Sequence, residues 1–227
     1  MNKGERITGL LRLPQDPAFG RMVPKSKIYA HTRSSAKLKA VFVQQVEKIV
    51  HTSILSPKTV NIPAKEPVLE IHVLSLLLRT PTLKPDILQA IDRAIPYPTL
   101  FVLSYQNKIQ YCMAYKRPSE ADRRKWVISS HFATDWIANN SDSQNLPLAL
   151  SLQTLYERLI KAILPIQSRG DETIDQWIAR AENIGAMQCQ VVELKKKIDN
   201  KNLQYNRRVE LNAQLKELNK QINAIKD

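Results

Sequence analysis

The stretch that decides the fold is residues 68–78, VLEIHVLSLLL, which is almost continuously apolar. A membrane-spanning helix needs roughly 18 apolar residues, so this run is too short, and Glu70 and Arg79 bring charge into it and against its end. A run of this length and composition is typical of a strand that is buried on both faces. It therefore predicts a sheet that is covered on each side.

Helix and strand patterns follow this run along the chain. A helix is expected over residues 86–94, because Pro85 suits its first turn and Pro96 lies beyond its end. Further apolar or alternating runs predict a three-stranded meander at residues 99–104, 109–115 and 126–132. The first two strands should form a hairpin around the turn at residues 106–108.

The N-terminal side predicts an arm, a helix and a short strand. Residues 1–33 are basic and rich in proline, which favours an extended arm. Apolar residues then recur every three or four positions over residues 35–50, the pattern of an amphipathic helix. A short β-type run at residues 59–62 stops at Pro63.

The C-terminal third predicts helices. Residues 151–164 have helical spacing, residues 165–170 form a linker, and Thr173 opens a capping box with Gln176. Heptad-like apolar positions then run through residues 191–225, with a phase break that indicates either a stutter or a turn. We expect an α+β fold: a mixed sheet of about five strands, flanking helices and a long, coiled-coil-like helical C-terminal extension. The domains expected are a basic arm (1–33), an α+β core (34–164) and the extension (171–227).

Charge is the most informative property of the composition. The chain has 34 Lys and Arg against 21 Asp and Glu, a net charge of +13 and a pI near 9.8. Residues 1–100 carry 15 of the basic and 7 of the acidic groups, whereas residues 151–227 carry 13 and 10. Such an excess attracts polyanions, usually nucleic acid. We expect a cytoplasmic protein, because the sequence has neither a signal peptide nor a membrane-spanning run.

Four runs of the sequence are distinctive: VPKSKIY at 23–29, IDRAIPYP at 91–98, AYKR at 114–117 and QYNRRVELN at 204–212. Together they resemble an uncharacterised bacterial family catalogued as domain of unknown function 4391. The likeness extends from about residue 19 to the end of the chain. The resemblance implies genes that lie beside superfamily-2 helicases and DNA methyltransferases in defence-type neighbourhoods. The resemblance provides no catalytic residues that could be assigned to positions of this chain.

Basic residues form the candidate nucleic-acid contacts, because a phosphate contact needs only cations at reachable spacing. The residues predicted are Lys25, Lys27, Arg33, Lys116, Arg117, Arg123, Arg124 and Lys125. Each cluster could equally solvate a surface. On the tail, a polar break in the heptads predicts a site for a protein partner or a capped helix turn, at Tyr205, Asn206, Arg207 and Arg208.

Catalytic chemistry has little support in the residues. A metal-dependent nuclease of the PD-(D/E)xK type needs a carboxylate two positions before a strand lysine, but Ala114 precedes Lys116. Glu70 or Asp92 could supply the missing carboxylate only if the tertiary fold brings it into place. The two cysteines and four histidines have no metal-ligand spacing, so no metal and no cofactor are expected.

We therefore expect a non-catalytic, nucleic-acid-associated accessory protein of a bacterial helicase–methyltransferase system, in which DNA is bound through its backbone and the tail contacts the helicase or methyltransferase. One alternative is a divergent metal-dependent nuclease. Another is a structural protein that forms a homo-oligomer through a coiled coil of residues 191–225.

Overall fold

The computed structural model of the chain describes residues 6–14, 20–32, 35–122, 126–200 and 203–226. The chain divides into two compact units, Met1–Leu164 and Pro165–Asp227. In the residues described, no helix has the length and apolar character needed to cross a membrane.

The first unit is built on strands that form one large sheet and one small pair. The strands are β1 (Leu10–Leu11), β2 (Arg21–Met22), β3 (Val46–Leu55), β4 (Ile71–Leu78), β5 (Thr99–Tyr105), β6 (Lys108–Pro118), β7 (Trp126–Ala133), β8 (Ile137–Ala138) and β9 (Ser143–Gln144). The seven-stranded sheet has the order β2-β3-β4-β5-β6-β7, with β8 paired to β6. Strands β4 and β5 are parallel and the other pairs of this sheet are antiparallel. The sheet is therefore mixed, as predicted.

The described residues of the first unit form five helices. They are α1 (Lys25–Thr32), α2 (Ala36–Gln45), α3 (Pro57–Val60), α4 (Pro85–Ala94) and α5 (Leu152–Ile163). Helix α4 connects the parallel strands β4 and β5, because such strands need a crossover rather than a hairpin. Helices α1, α2 and α4 contribute to one hydrophobic cluster with the sheet. These three helices are called the helical layer below.

Strand β4 confirms the prediction made from residues 68–78. Leu74, Leu76 and Leu78 join the cluster beneath the helical layer. Successive side chains on a strand point to opposite faces, and Ile71 and Val73 on the other face are also fully buried. Burying such side chains contributes roughly 1.5–3 kcal/mol each relative to exposure, which makes this strand a principal source of stability in the unit.

Other expectations are corrected by the structure. The sheet has seven strands rather than about five. The expected helix over residues 35–50 ends at Gln45, and residues 46–50 begin strand β3 instead. Residues 25–32, expected in an extended arm, form α1. Residues 59 and 60 of the expected β-type run at 59–62 lie in α3, where Pro57 occupies the first turn and the Ser56 backbone N–H donates to Thr59 Oγ1 at 2.9 Å.

The second unit is a pair of helices, α6 (Ile174–Ile198) and α7 (Tyr205–Lys226), which pack against each other. The predicted capping box is confirmed, since the Thr173 N–H donates to Gln176 Oε1 at 2.9 Å and the Gln176 N–H donates to Thr173 Oγ1 at 3.3 Å. The phase break in the heptads is a turn between the helices rather than a stutter. Because α7 packs on α6, Leu211 and Ile222 are buried within one chain.

Candidate nucleic-acid interface

A cleft of about 300 Å³ opens in the helical layer and is lined mainly by α2 and α4. Three cations line it: Lys37 from α2, Lys84 at the N-cap of α4 and Arg93 near the end of α4. Asp86 is the one carboxylate among the described residues that line it. Among the described contacts, none of the three cations makes an ion pair, and all three residues line this concave space.

Local interactions fix the helices that carry these cations. Ser35 caps α2, where its Oγ accepts from the Leu38 N–H at 3.2 Å. Gln45, at the end of α2, accepts from the Lys84 N–H through Oε1 at 2.8 Å. This bond satisfies a backbone donor at the start of α4 that the helix itself leaves unpaired. The spacing between the two walls of the cleft is therefore set by the fold.

The helical layer as a whole is basic. Its three helices contain five Lys or Arg residues and two Asp residues, and one of the two, Asp92, is fully buried. Lys27 on α1 and Lys39 on α2 are exposed, with the Lys39 Nζ lying 5.6 Å from the Tyr29 ring centroid. Positive charge is thus concentrated on the solvent side of this layer.

The structure separates the residues predicted for the N-terminal basic cluster. Lys27 is exposed on α1, whereas the Lys25 ammonium donates to the Val46 carbonyl and is only half-exposed. Burial, followed by repulsion from Arg79, lowers the pKa of Lys25. Arg33 lies outside the described residues. Lys25 is therefore partly committed to holding α1 on the sheet.

The second predicted cluster contains one clear correction. Lys116 is buried, with only 1% of its side chain exposed. Arg117 is partly exposed and lies 3.6 Å from Glu120. The remaining members of this cluster lie outside the described residues: Arg123, Arg124 and Lys125. Lys116 does not reach a phosphate on the surface, so its role is inside the protein.

Lys116 forms a buried network with α4. Its Nζ lies 2.8 Å from Asp92 Oδ1 and donates to the carbonyls of Asp92, Ile95 and Tyr97 at 3.0, 3.0 and 2.8 Å. Burial lowers the pKa of Lys116, and the adjacent Asp92 opposes this shift. A cation at the carboxyl end of a helix satisfies its unpaired carbonyls. Lys116 thereby fixes the end of α4, one residue from Arg93 of the cleft.

The same network occupies the carboxylates considered from sequence for a nuclease site. His131 Nε2 lies 2.7 Å from Asp92 Oδ2 and Lys116 Nζ lies 2.8 Å from Asp92 Oδ1, so each oxygen of this fully buried carboxylate lies against a basic side chain. Glu70 pairs with His72 at 2.9 Å. Among the residues described, no group of three His, Cys, Asp or Glu side chains is placed to hold a metal ion. A divalent cation needs accessible oxygen ligands, and Asp92 does not offer them.

The tail residues predicted for a protein partner lie at the start of α7. Tyr205 is 79% exposed and Asn206 is exposed. Arg207 pairs with Glu210 at 2.6 Å, and the Arg208 guanidinium donates to the Asn200 carbonyl at 3.3 Å. Arg208 thus helps close the turn between α6 and α7, and Tyr205 presents a ring to solvent.

Sequence reasoning missed the three cleft cations Lys37, Lys84 and Arg93. They are far apart in the chain. Lys84 and Arg93 have uncharged or acidic neighbours, and Lys37 has one lysine, Lys39, two positions along, so the sequence does not group the three. Two of them do lie on predicted helices, which is the one signal that could have marked them. Their convergence depends on the packing of α2 against α4.

Comparison with known proteins gives one result, which covers both units. The model of the family described as "Domain of unknown function (DUF4391)" matches residues 11–222. The chain belongs to this family. The DUF4391 match runs from β1 to the last turns of α7 and includes the cleft, the Lys116 network and Tyr205. No curated protein and no solved structure gave a significant match.

Proposed function

We propose that this protein is a non-catalytic accessory factor that binds nucleic acid through its sugar–phosphate backbone, with the cleft of the helical layer as the centre of the contact. The observation that carries the proposal is the convergence of Lys37, Lys84 and Arg93 on one concave surface beside a single carboxylate. The net charge of +13 adds a long-range attraction for polyanions.

The cleft suits phosphates better than bases. Lysine and arginine bind phosphate oxygens as charges and need no fixed register along the strand. The hydroxyl and amide groups in the lining, Thr32, Ser35 and Gln89, are compatible with further backbone contacts. We therefore propose binding without base sequence preference and with a strong dependence on salt.

The binding test compares two triple variants that remove the same charge. The first is Lys37→Ala/Lys84→Ala/Arg93→Ala, and its matched control removes three exposed lysines outside the helical layer, Lys58, Lys65 and Lys108. Binding of labelled DNA duplex, RNA duplex and single strands is measured by fluorescence anisotropy over a salt series. Each lost phosphate contact should lower the slope of log K against log salt by about 0.9 on duplex DNA.

The expected result is a loss of up to about 2.7 in slope and at least about tenfold in affinity for the cleft variant. The control should lose clearly less. Equal losses in the two variants would mean that general charge attracts nucleic acid and that the cleft has no special role. Wild-type binding that ignores salt would exclude backbone contact altogether.

The accessory role is proposed from the gene neighbourhood that the family resemblance implies, with a helicase or DNA methyltransferase as the protein partner. The exposed Tyr205 is the residue most suited to such a contact, because aromatic side chains contribute heavily to protein interfaces. Co-purification with the neighbouring helicase and methyltransferase should be weakened by Tyr205→Ala. If the Tyr205→Ala variant still co-purifies with both partners, Tyr205 is not the contact and the tail has no part in the proposed complex.

A further inference from the structure

Residues 145–150, called the leucine loop here, present two aliphatic side chains to solvent between β9 and α5. Leu148 is 86% exposed and Leu150 is 91% exposed. These are the two highest values among the large apolar side chains of the described chain. Exposed apolar surface that is not scattered singly commonly marks an interaction site.

The loop is held at the end that follows β9. Strand β9 pairs with β1, and the Gln144 side chain accepts from the Thr8 and Gly9 N–H groups at 3.0 and 3.1 Å. Its amide also donates to the Arg6 carbonyl at 3.0 Å. A Cβ at Gly9 would lie 2.4 Å from the Asp142 carbonyl oxygen, so this close approach requires glycine.

The loop is held equally firmly where it enters α5. Ser151 caps the helix by accepting from the Thr154 N–H at 3.2 Å, and the Leu152 N–H donates to the Pro63 carbonyl at 2.9 Å. The Arg158 guanidinium donates to the Leu148 carbonyl. The two exposed leucines therefore lie on an ordered backbone, and an ordered loop loses less conformational entropy when it binds a partner.

Apolar recesses lie on both sides of the loop. One cavity of about 370 Å³ includes Ile7 and Ala162 in its wall. The other, of about 460 Å³, includes Leu13, Val60 and Ile62. Both share residues 146–148, so the loop forms a ridge between two hollows that can receive side chains.

The rim of these recesses is positively charged. Arg158 and Lys161 line the first cavity and Arg12 lines the second. Among the described residues, no Asp or Glu lines either cavity. Apolar recesses with cations at their edges are complementary to a segment that carries aliphatic side chains next to carboxylates.

We propose that the leucine loop and its two recesses are a docking site for an acidic, leucine-rich segment of a partner protein. Nucleic acid is the less suitable occupant, because its backbone supplies charge but no aliphatic side chain for Leu148 and Leu150 to contact. The cleft of the helical layer involves other residues, so this proposal stands whether or not the cleft binds nucleic acid. The loop also differs from the tail site at Tyr205.

The test uses a short fluorescein-labelled peptide of leucine and glutamate, and a second peptide in which glutamine replaces every glutamate. The variant Leu148→Ser/Leu150→Ser changes only exposed side chains and should fold normally. Met22→Ser/Val127→Ser is the matched control, because it replaces exposed apolar residues on β2 and β7. Lys161→Glu tests the charge of the rim.

Saturable binding of the leucine–glutamate peptide is expected, with affinity at least about tenfold lower for the glutamine peptide and for the leucine-loop variant. Lys161→Glu should also weaken binding, and the control should bind within about twofold of wild type. The proposal is overturned if the peptide does not bind saturably, or if the two peptides bind equally well.

Two further outcomes would assign the surface to another occupant and so reject the proposal. The first is duplex DNA that displaces the peptide and itself binds more weakly to the leucine-loop variant. The second is self-association in sedimentation velocity that Leu148→Ser/Leu150→Ser abolishes, which would identify a second copy of this chain as the occupant.

Discussion

Replacing Lys116 by methionine tests the buried network directly. The Lys116 and Asp92 side chains are 1% and 0% exposed, and their charged atoms lie 2.8 Å apart. Removing one partner of a buried ion pair typically costs about 3–5 kcal/mol, because the other charge stays buried without compensation. Three carbonyls at the end of α4 would lose their donor as well. His131 still contacts Asp92 at 2.7 Å, so we expect a loss near the lower end, about 3 kcal/mol.

Urea unfolding followed by circular dichroism measures this loss as a lower midpoint with an unchanged m-value. Arg117→Met is the matched control in the next position, because Arg117 is 39% exposed and lies 3.6 Å from the exposed Glu120. An exposed pair of this kind contributes at most about 1 kcal/mol. A loss for Lys116→Met no larger than that of Arg117→Met would refute the burial argument.

A double-mutant cycle separates the pair from the general cost of each change. With Asp92→Asn present, Lys116→Met no longer leaves a carboxylate unpaired. The double variant should therefore lose less than the sum of the single variants, with a coupling of about 0.5–3 kcal/mol. Additive losses would show that the two side chains do not depend on each other.

A buried tyrosine, two unlike cysteines and an ion pair of the second unit can each be tested. Burial raises the pKa of Tyr156 well above the usual 10.0. The stability that the protonated Tyr156 contributes is therefore present below pH 10 and decreases above it, by about 1.4 kcal/mol per pH unit. Tyr156→Phe should make the urea midpoint fall less steeply with alkaline pH, and an unchanged slope would contradict this. Cys189 is exposed and Cys112 is buried, so a thiol reagent should modify one thiol per native chain, and Cys189→Ser should abolish that reaction; residual fast labelling would place Cys112 at the surface. Arg180 contacts both oxygens of Glu172 at 2.7 Å, and both side chains are 8% exposed. Arg180→Met should therefore cost more in urea unfolding than the roughly 1 kcal/mol of a surface pair, and a smaller loss would contradict this.

Sequence patterns predicted the elements whose signals are local. Strand β4, helix α4 and the hairpin of β5 and β6 follow from apolar runs, prolines and a turn, and each appears close to its expected bounds. Strand β3 was missed because the helical spacing of apolar residues continues beyond α2 through Val46 and Ile49. Register shifts in β3 between Val46 and Lys48, and between His51 and Ser53, also break the alternation that marks a strand.

The sites depended on tertiary information that no local pattern contains. Lys116 occupies a strand end, which favours a solvated side chain, but α4 and the residues that follow it supply three carbonyls to its ammonium group. Lys37 and Arg93 converge only after α2 packs against α4. The basic composition therefore indicates only the sign of the proposed ligand's charge, while the position of the proposed contact depends on the packing of the helical layer.

The pairing of β1 with β9 has a kinetic consequence. It joins residues near the start of the chain to residues that follow the whole large sheet, as in the contact between Thr8 and Gln144, which are 136 positions apart. Contacts between residues so distant in the chain form late in folding, because the entropic cost of closing the intervening loop is offset only when most of the chain is ordered. The β1–β9 pair has few hydrogen bonds, so we expect it to open before the seven-stranded sheet in native-state hydrogen exchange. Each opening would free the end of the leucine loop that Gln144 holds and disturb the recess that Ile7 lines, so a local unfolding event in this segment would weaken docking on that surface.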